Sequence, residues 1–203
     1  MRFGFDVDGI FGNFRTPFIK LVNDYFNKNY PPGEGTHWNL YEQYEDFTPG
    51  MQAEIFECIK GLKNFWVDTV EPFNMEDLKL VKKLLWNGDN VYFITNRYPN
   101  PDEDSTLSQC RNWLLKYNIF PTGIILTKNK AEACNLLQID YFIDDHIQNV
   151  KDITNNCPTT VCYIIDKKHN QDYKTIYRAK TIKEFIERAK SGYFNGEEGF
   201  SGD

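Results

Sequence analysis

Apolar residues recur along this chain with two different periods, and the change from one to the other marks its organisation. Residues 2–7 (RFGFDV) form a short apolar run ending in acid, the pattern of a strand buried within a sheet. Over 16–29, Phe18, Leu21, Val22, Tyr25 and Phe26 fall at helical spacing. The stretch 30–48 (YPPGEGTHWNLYEQYEDFT) is crowded with turn formers and aromatics and predicts an irregular connection. A second helix is expected from near Pro49 to near Gly61, with Met51, Ile55, Phe56 and Ile59 on one face.

From about residue 72 the pattern becomes regular. Helices are predicted over 74–87, with Asn74 as N-cap and Gly88 at the end, and over 104–117, 129–137, 146–154 and 181–190. Between them lie the short apolar runs VYFIT (91–95), GIILT (123–127), YFID (141–144) and VCYII (161–165). Strands alternating with helices imply an α/β fold, here a doubly wound five-stranded parallel sheet with right-handed crossovers. Residues 14–71 break the alternation. They read as a small helical cap inserted after the first strand, over the carboxyl edge of the sheet, which leaves 1–13 and 72–190 as the core. The Gly-rich, acidic segment 191–203 is expected to be disordered.

Composition narrows the class. With 41% hydrophobic and 26% charged residues the chain has a globular balance. No apolar run approaches the ~20 residues that span a bilayer, and no signal-peptide pattern opens the sequence, so a cytoplasmic location without membrane contact is expected. The five cysteines (Cys58, Cys110, Cys134, Cys157, Cys162) form no CxxC pair and read as buried thiols in a reducing compartment. A net charge of −6 argues against general nucleic-acid binding, which needs a basic surface. An anionic substrate would therefore need local cations.

The ends of the predicted strands carry the chemistry, because open α/β sheets bind ligands at their carboxyl edge. Strand one ends in Asp6-Val7-Asp8-Gly9, strand two in Thr95-Asn96-Arg97, and strand four in Asp144-Asp145; Lys128-Asn129-Lys130 follows strand three. Taken singly, each is an ordinary turn or cap. Together they bring two acid pairs, a hydroxyl and an ammonium to one rim. Four carboxylates so placed repel one another unless a divalent cation is bound, and hard oxygens without His or Cys suit Mg²⁺. Thr95, Asn96 and a lysine can hold a phosphate, an ionised Asp beside it can attack phosphorus, and a carboxylate two residues on can move the proton.

These motifs resemble the haloacid dehalogenase superfamily: FGFDVDGIF, VYFITNR, LTKNKAE and YFIDDH match its four signatures in order, over about residues 2–150. A cap directly after the first motif is that superfamily's C1 arrangement. Within it the chain is most similar to the 5'(3')-deoxyribonucleotidases, through DVDGIFGNF (6–14), THWNLYEQY (36–44) and GLKNFWVDTVEPF (61–73). The resemblance implies a phosphomonoesterase for nucleoside monophosphates in which Asp6 is the nucleophile and Asp8 the acid/base. It implies Mg²⁺ on Asp6, the Asp8 carbonyl and the Asp144-Asp145 pair, and phosphate on Thr95, Asn96 and Lys130, with Lys128 as the alternative lysine. Phe14 would stack on the base, with His37 and Trp38 in the closing cap segment. Two departures, His146 after the acid pair and His37 beside Trp38, leave substrate choice open. A sugar phosphatase, a nucleic-acid 3'-phosphatase and a catalytically silent nucleotide binder are the alternatives in this fold, and a homodimer is compatible with the sequence. A receiver domain fits poorly, because no acid ends strand three.

Overall fold

The computed structural model describes residues 1–97 and 105–192; of the tail 191–203 expected to be disordered, residues 193–203 lie outside the described residues, as do 98–104, while 191 and 192 form a turn after the last helix. Six parallel strands form the sheet: β1 (Arg2–Phe5), β2 (Asn90–Thr95), β3 (Gly123–Leu126), β4 (Tyr141–Asp144), β5 (Val161–Ile165) and β6 (Arg178–Ala179). Their order across the sheet is β3-β2-β1-β4-β5-β6. The five-strand expectation is corrected by β6, whose two residues pair with Ile164 and Ile165. A two-residue strand presents no period, so its pattern is invisible along the chain.

The helices are α1 (Arg15–Phe26), α2 (Leu40–Gln43), α3 (Pro49–Gly61), α4 (Phe65–Asp68), α5 (Met75–Trp86), α6 (Thr106–Lys116), α7 (Lys130–Leu137), α8 (Ile147–Asn156) and α9 (Ile182–Lys190). The starts of α3, α5, α7 and α9 are set by side chains that accept from free backbone N–H groups. Thr48 takes Met51 N at 3.2 Å, Asn74 takes Glu76 N at 2.9 Å, and Asn129 and Thr181 take Glu132 N and Glu184 N, each at 3.1 Å. The short α2 and α4 interrupt stretches that pattern alone leaves irregular.

Successive strand residues face opposite sides of the sheet, and each side has its own apolar cluster. Phe3, Phe5, Phe93, Ile143 and Tyr163 meet α5 and α9 on one face through Leu78, Val81 and Phe185. Ile94, Phe142 and Ile164 meet α7 and α8 on the other through Cys134, Val150 and Ile153. A third cluster, including Phe18, Val22, Phe47, Ile55, Phe65 and Trp66, is drawn entirely from residues 18–70. It is tied to α6 by Gln109 Oε1, which accepts from Trp66 N at 3.0 Å, and by Trp113 Nε1, which donates to Val70 O at 2.6 Å. Both sheet faces are thus covered, and the open edge left for chemistry is the carboxyl one.

Candidate active site

Because β1 lies between β2 and β4, the residues just after these strands share one rim. Asp6 N donates to Ile143 O at 3.1 Å, which carries the pairing one residue past β1 and sets Asp6 beside Asp144. The chain then turns at Gly9, whose φ of +83° is the left-handed region. A Cβ on Gly9 would overlap the Asp145 carboxylate, so glycine is required by conformation and by space alike.

Lys130 opens α7 and is buried, with Nζ 2.7 Å from Asp144 Oδ2 and 2.9 Å from Asp6 Oδ1. Lys128 precedes the Asn129 cap and is exposed, so of the two lysines only Lys130 enters the acid cluster. Asp144 is fully satisfied: His146 N donates to Oδ1 at 2.9 Å, and Asn149 Nδ2 lies 3.1 Å from each oxygen. Asp6 and Asp145 differ. Asp6 Oδ1 has the Lys130 charge beside it but no aligned hydrogen-bond donor, and Asp145 Oδ1 has no donor among the described residues.

Burial pushes the Asp6 carboxyl up to about 6; the Lys130 ammonium opposes this, while Asp144 and Asp8 reinforce it. Asp145 is also raised, by burial first and then by Asp144 and Asp6. For Lys130 burial acts downward, but Asp144 and Asp6 outweigh it and hold the ammonium above the usual lysine range. Asp6, Asp144 and Asp145 each offer an oxygen within 4.8 Å of the others. Three buried carboxylates against one ammonium leave excess negative charge, and two of their oxygens lack donors. This donor set fits a hard divalent cation.

Asp8 points elsewhere. Its carboxylate sits in the fork of buried Arg97, with Nε to Oδ2 at 2.7 Å and Nη2 to Oδ1 at 2.9 Å. Thr95 is buried at the end of β2 and Asn96 is exposed; both line the same cavity as Asp6, Asp8, Lys130 and Asp145.

That cavity, of about 380 Å³, continues from the acids into an aromatic chamber. Phe14 stacks on Trp66 (centroids 5.0 Å apart, 26° between planes) and lies parallel to Phe56 at 6.2 Å. Trp38 closes a side of it against His146 (4.4 Å) and His169 (5.2 Å). His37 is a correction to the expected set: its ring is exposed, bonded to Thr36 Oγ1 at 3.0 Å, and does not line the cavity. Its backbone serves instead, since Arg15 Nη1 donates to His37 O at 3.2 Å and Nη2 to Gln43 Oε1 at 2.8 Å, pinning this loop to α1.

Sequence reasoning missed Arg97, His146, Asn149 and His169 as contributors. Arg97 follows the Thr95-Asn96 signature directly and could have been found as a strand-end cation. His169 could not, because it belongs to a 3₁₀ turn (Lys168–Asn170) after β5 that no motif marks.

The family described as "5' nucleotidase, deoxy (Pyrimidine), cytosolic type C protein" matches residues 1–191. Among solved structures, a putative beta-phosphoglucomutase from Thermotoga maritima superimposes with a TM-score of 0.56 at 13% identity, covering 94% of this chain and 99% of that one. An L-2-haloacid dehalogenase superimposes at 0.53 with 12% identity (92% and 98% covered). A subfamily IA HAD-superfamily hydrolase from Geobacter sulfurreducens also gives 0.53, with 13% identity (92% and 97% covered). At such identities these neighbours establish the fold alone, which is that of the haloacid dehalogenase hydrolases. No curated protein matches the sequence.

Proposed function

Since the chain belongs to the 5' nucleotidase, deoxy (Pyrimidine), cytosolic type C family, and is thus a phosphoric monoester hydrolase, we propose that it cleaves nucleoside monophosphates through an aspartyl-phosphate on Asp6. The observation that carries this reading is the Asp6–Lys130–Asp144 cluster beside the Asp145 carboxylate, whose Oδ1 has no donor among the described residues, at a cavity that Phe14, Trp38, Phe56 and Trp66 also line. Lys130, Thr95 and Asn96 receive the phosphate, and an Asp6 oxygen attacks phosphorus as the ester bond breaks. Asp8 gives its proton to the leaving nucleoside oxygen and later takes one from the water that releases phosphate and restores Asp6.

Asp6, Asp145 and the Asp8 carbonyl would hold Mg²⁺, with Asp144 anchoring Lys130 and the loop after β4. Bound there, the ion would neutralise charge gathering on the phosphoryl oxygens. Phe14, backed by Trp66, offers a face for a base, with Trp38 and Phe56 completing the chamber. In this reading residues 14–71 act as the cap and 1–13 with 72–190 as the catalytic core. Among the described residues no helix is long and apolar enough to cross a membrane.

The test is phosphate release from a panel of nucleoside monophosphates and sugar phosphates, with Mg²⁺ and with EDTA. Nucleotides should be preferred, EDTA should abolish turnover, and Asp6→Asn should be folded and inactive. A preference for sugar phosphates would remove the nucleotide reading, and an active Asp6→Asn would remove the mechanism.

A further inference from the structure

Arg97 is a buried cation whose only carboxylate partner among the described residues is Asp8. Its third nitrogen, Nη1, lies 3.2 Å from Cys110 Sγ, and its guanidinium carbon lies 4.4 Å from the centroid of the Trp66 ring. All three nitrogens and one face of the guanidinium thus have a partner. Burying such an ion pair costs desolvation that an apolar pair of equal volume would avoid, so stability alone is a poor reason for it. A fork of two parallel N–H···O bonds does what a point charge does not: it fixes the plane and rotation of the carboxylate.

The surroundings extend this. Phe14 stacks on Trp66, Trp66 covers Arg97, and Arg97 grips Asp8. A continuous run of contacts therefore joins the aromatic wall of the cavity to the Asp8 carboxylate, which keeps a partly exposed edge on that cavity. We infer that Arg97 is the positioning residue for Asp8, holding its carboxylate in the orientation from which it exchanges a proton with the leaving oxygen and then with water, and that Trp66 seats Arg97.

This rests on the role of Asp8 in the reading above. In the step it serves, the Asp6 oxygen–phosphorus bond forms, the phosphorus–ester oxygen bond breaks, and the Asp8 proton passes to the departing oxygen. A nucleoside alkoxide is a poor leaving group and needs that proton, whereas p-nitrophenolate leaves without it. The ratio kcat/KM reports steps only through formation of the aspartyl-phosphate, so comparing the two substrates isolates the proton delivered by Asp8.

The experiment compares Arg97→Lys with the wild type on dUMP and on p-nitrophenyl phosphate. Lysine keeps the charge and loses the fork. The expected result is a fall in kcat/KM of about 100-fold for dUMP and of less than about 5-fold for p-nitrophenyl phosphate. Equal losses on both substrates, or none on either, would overturn the inference. If the wild type hydrolyses neither substrate, or Asp6→Asn retains turnover, the underlying mechanism fails instead, so the two failures are separable. Should Arg97→Lys not fold, Arg97→Gln joined to Asp8→Asn forms a neutral pair for comparison with Asp8→Asn alone. Their kcat/KM values for p-nitrophenyl phosphate should agree within about 2-fold, because Arg97 then has no carboxylate to place; a further drop of about tenfold or more would contradict the assignment.

Discussion

The Lys130 ammonium stands 2.9 Å from Asp6 Oδ1 while its aligned hydrogen bond goes to Asp144 Oδ2 at 2.7 Å. Lys130 is thereby anchored by one acid and stands beside another, and the second lines the cavity with no aligned donor on its Oδ1. That asymmetry suits a nucleophile: its charge is balanced while its oxygen stays free to attack.

Replacing Lys130 by Met should therefore damage both folding and turnover. Two buried carboxylates lose their counter-charge, an effect on the order of 3–5 kcal/mol for a broken buried pair. Urea unfolding without metal should show that loss, and phosphate release at saturating nucleotide should fall by about 100-fold or more, the scale seen when one group stabilising the transition state is removed. Lys128→Met, at an exposed position, should change neither.

The raised carboxyl of Asp6 makes stability depend on pH in a direction opposite to that of an ordinary surface acid. In the unfolded chain Asp6 ionises near 3.8, and in the folded protein only near 6. Between those values the folded state binds the extra proton, so stability falls as pH rises through this window and levels off above it. Asp145, also raised, acts in the same direction. In metal-free solution Asp6→Asn should be more stable than the wild type above pH 6, with the difference fading toward pH 4. A difference that grows toward low pH would contradict the assignment, and Mg²⁺ should shrink the difference at neutral pH.

Phe14→Ala tests the aromatic chamber. Stacking a base on an aromatic ring contributes about 1–3 kcal/mol, so KM for dUMP should rise about 10- to 100-fold. For p-nitrophenyl phosphate, which carries no base, KM should change by much less. Trp66 would remain as a partial stacking face, which limits the effect on dUMP.

Gly9→Ala should be disproportionately costly for one methyl group. The left-handed φ disfavours alanine, and the new Cβ would displace the Asp145 carboxylate. Misplacing one ligand group by about an ångström is enough for a rate loss of about 100-fold. Mg²⁺ titration of the variant, followed by thermal shift, should show weakened stabilisation in parallel with lost activity.

Much of this was legible along the chain because it is local. The helices over Pro49–Gly61 and Met75–Trp86 announce themselves by apolar spacing, by Pro49 at the start of the first and by Asn74 as the cap of the second. The short α2 and α4 and the two-residue β6 lie below the length at which a period exists. Asn129 as the α7 cap separates Lys128 from Lys130, yet only the placement of that helix shows which lysine meets the acids.

The sequence by itself determined the alternation of strands and helices, and hence that Asp6, Thr95, Lys130 and Asp144-Asp145 follow successive strands of a parallel sheet. Periodicity and strand direction are properties of neighbouring residues, and they suffice to bring those groups to one edge. Only the tertiary structure decided what each group faces. Arg97 meets Asp8 across 89 positions because β2 docks beside β1. Trp38 rather than His37 turns inward, and it does so against His146 and His169, residues that meet only once β4 and β5 are side by side. Asp145 rather than Asp144 keeps an oxygen without a donor, because Lys130, Asn149 and the backbone of His146 reach Asp144 first. Such contacts depend on strand order and packing, which chain periodicity does not encode.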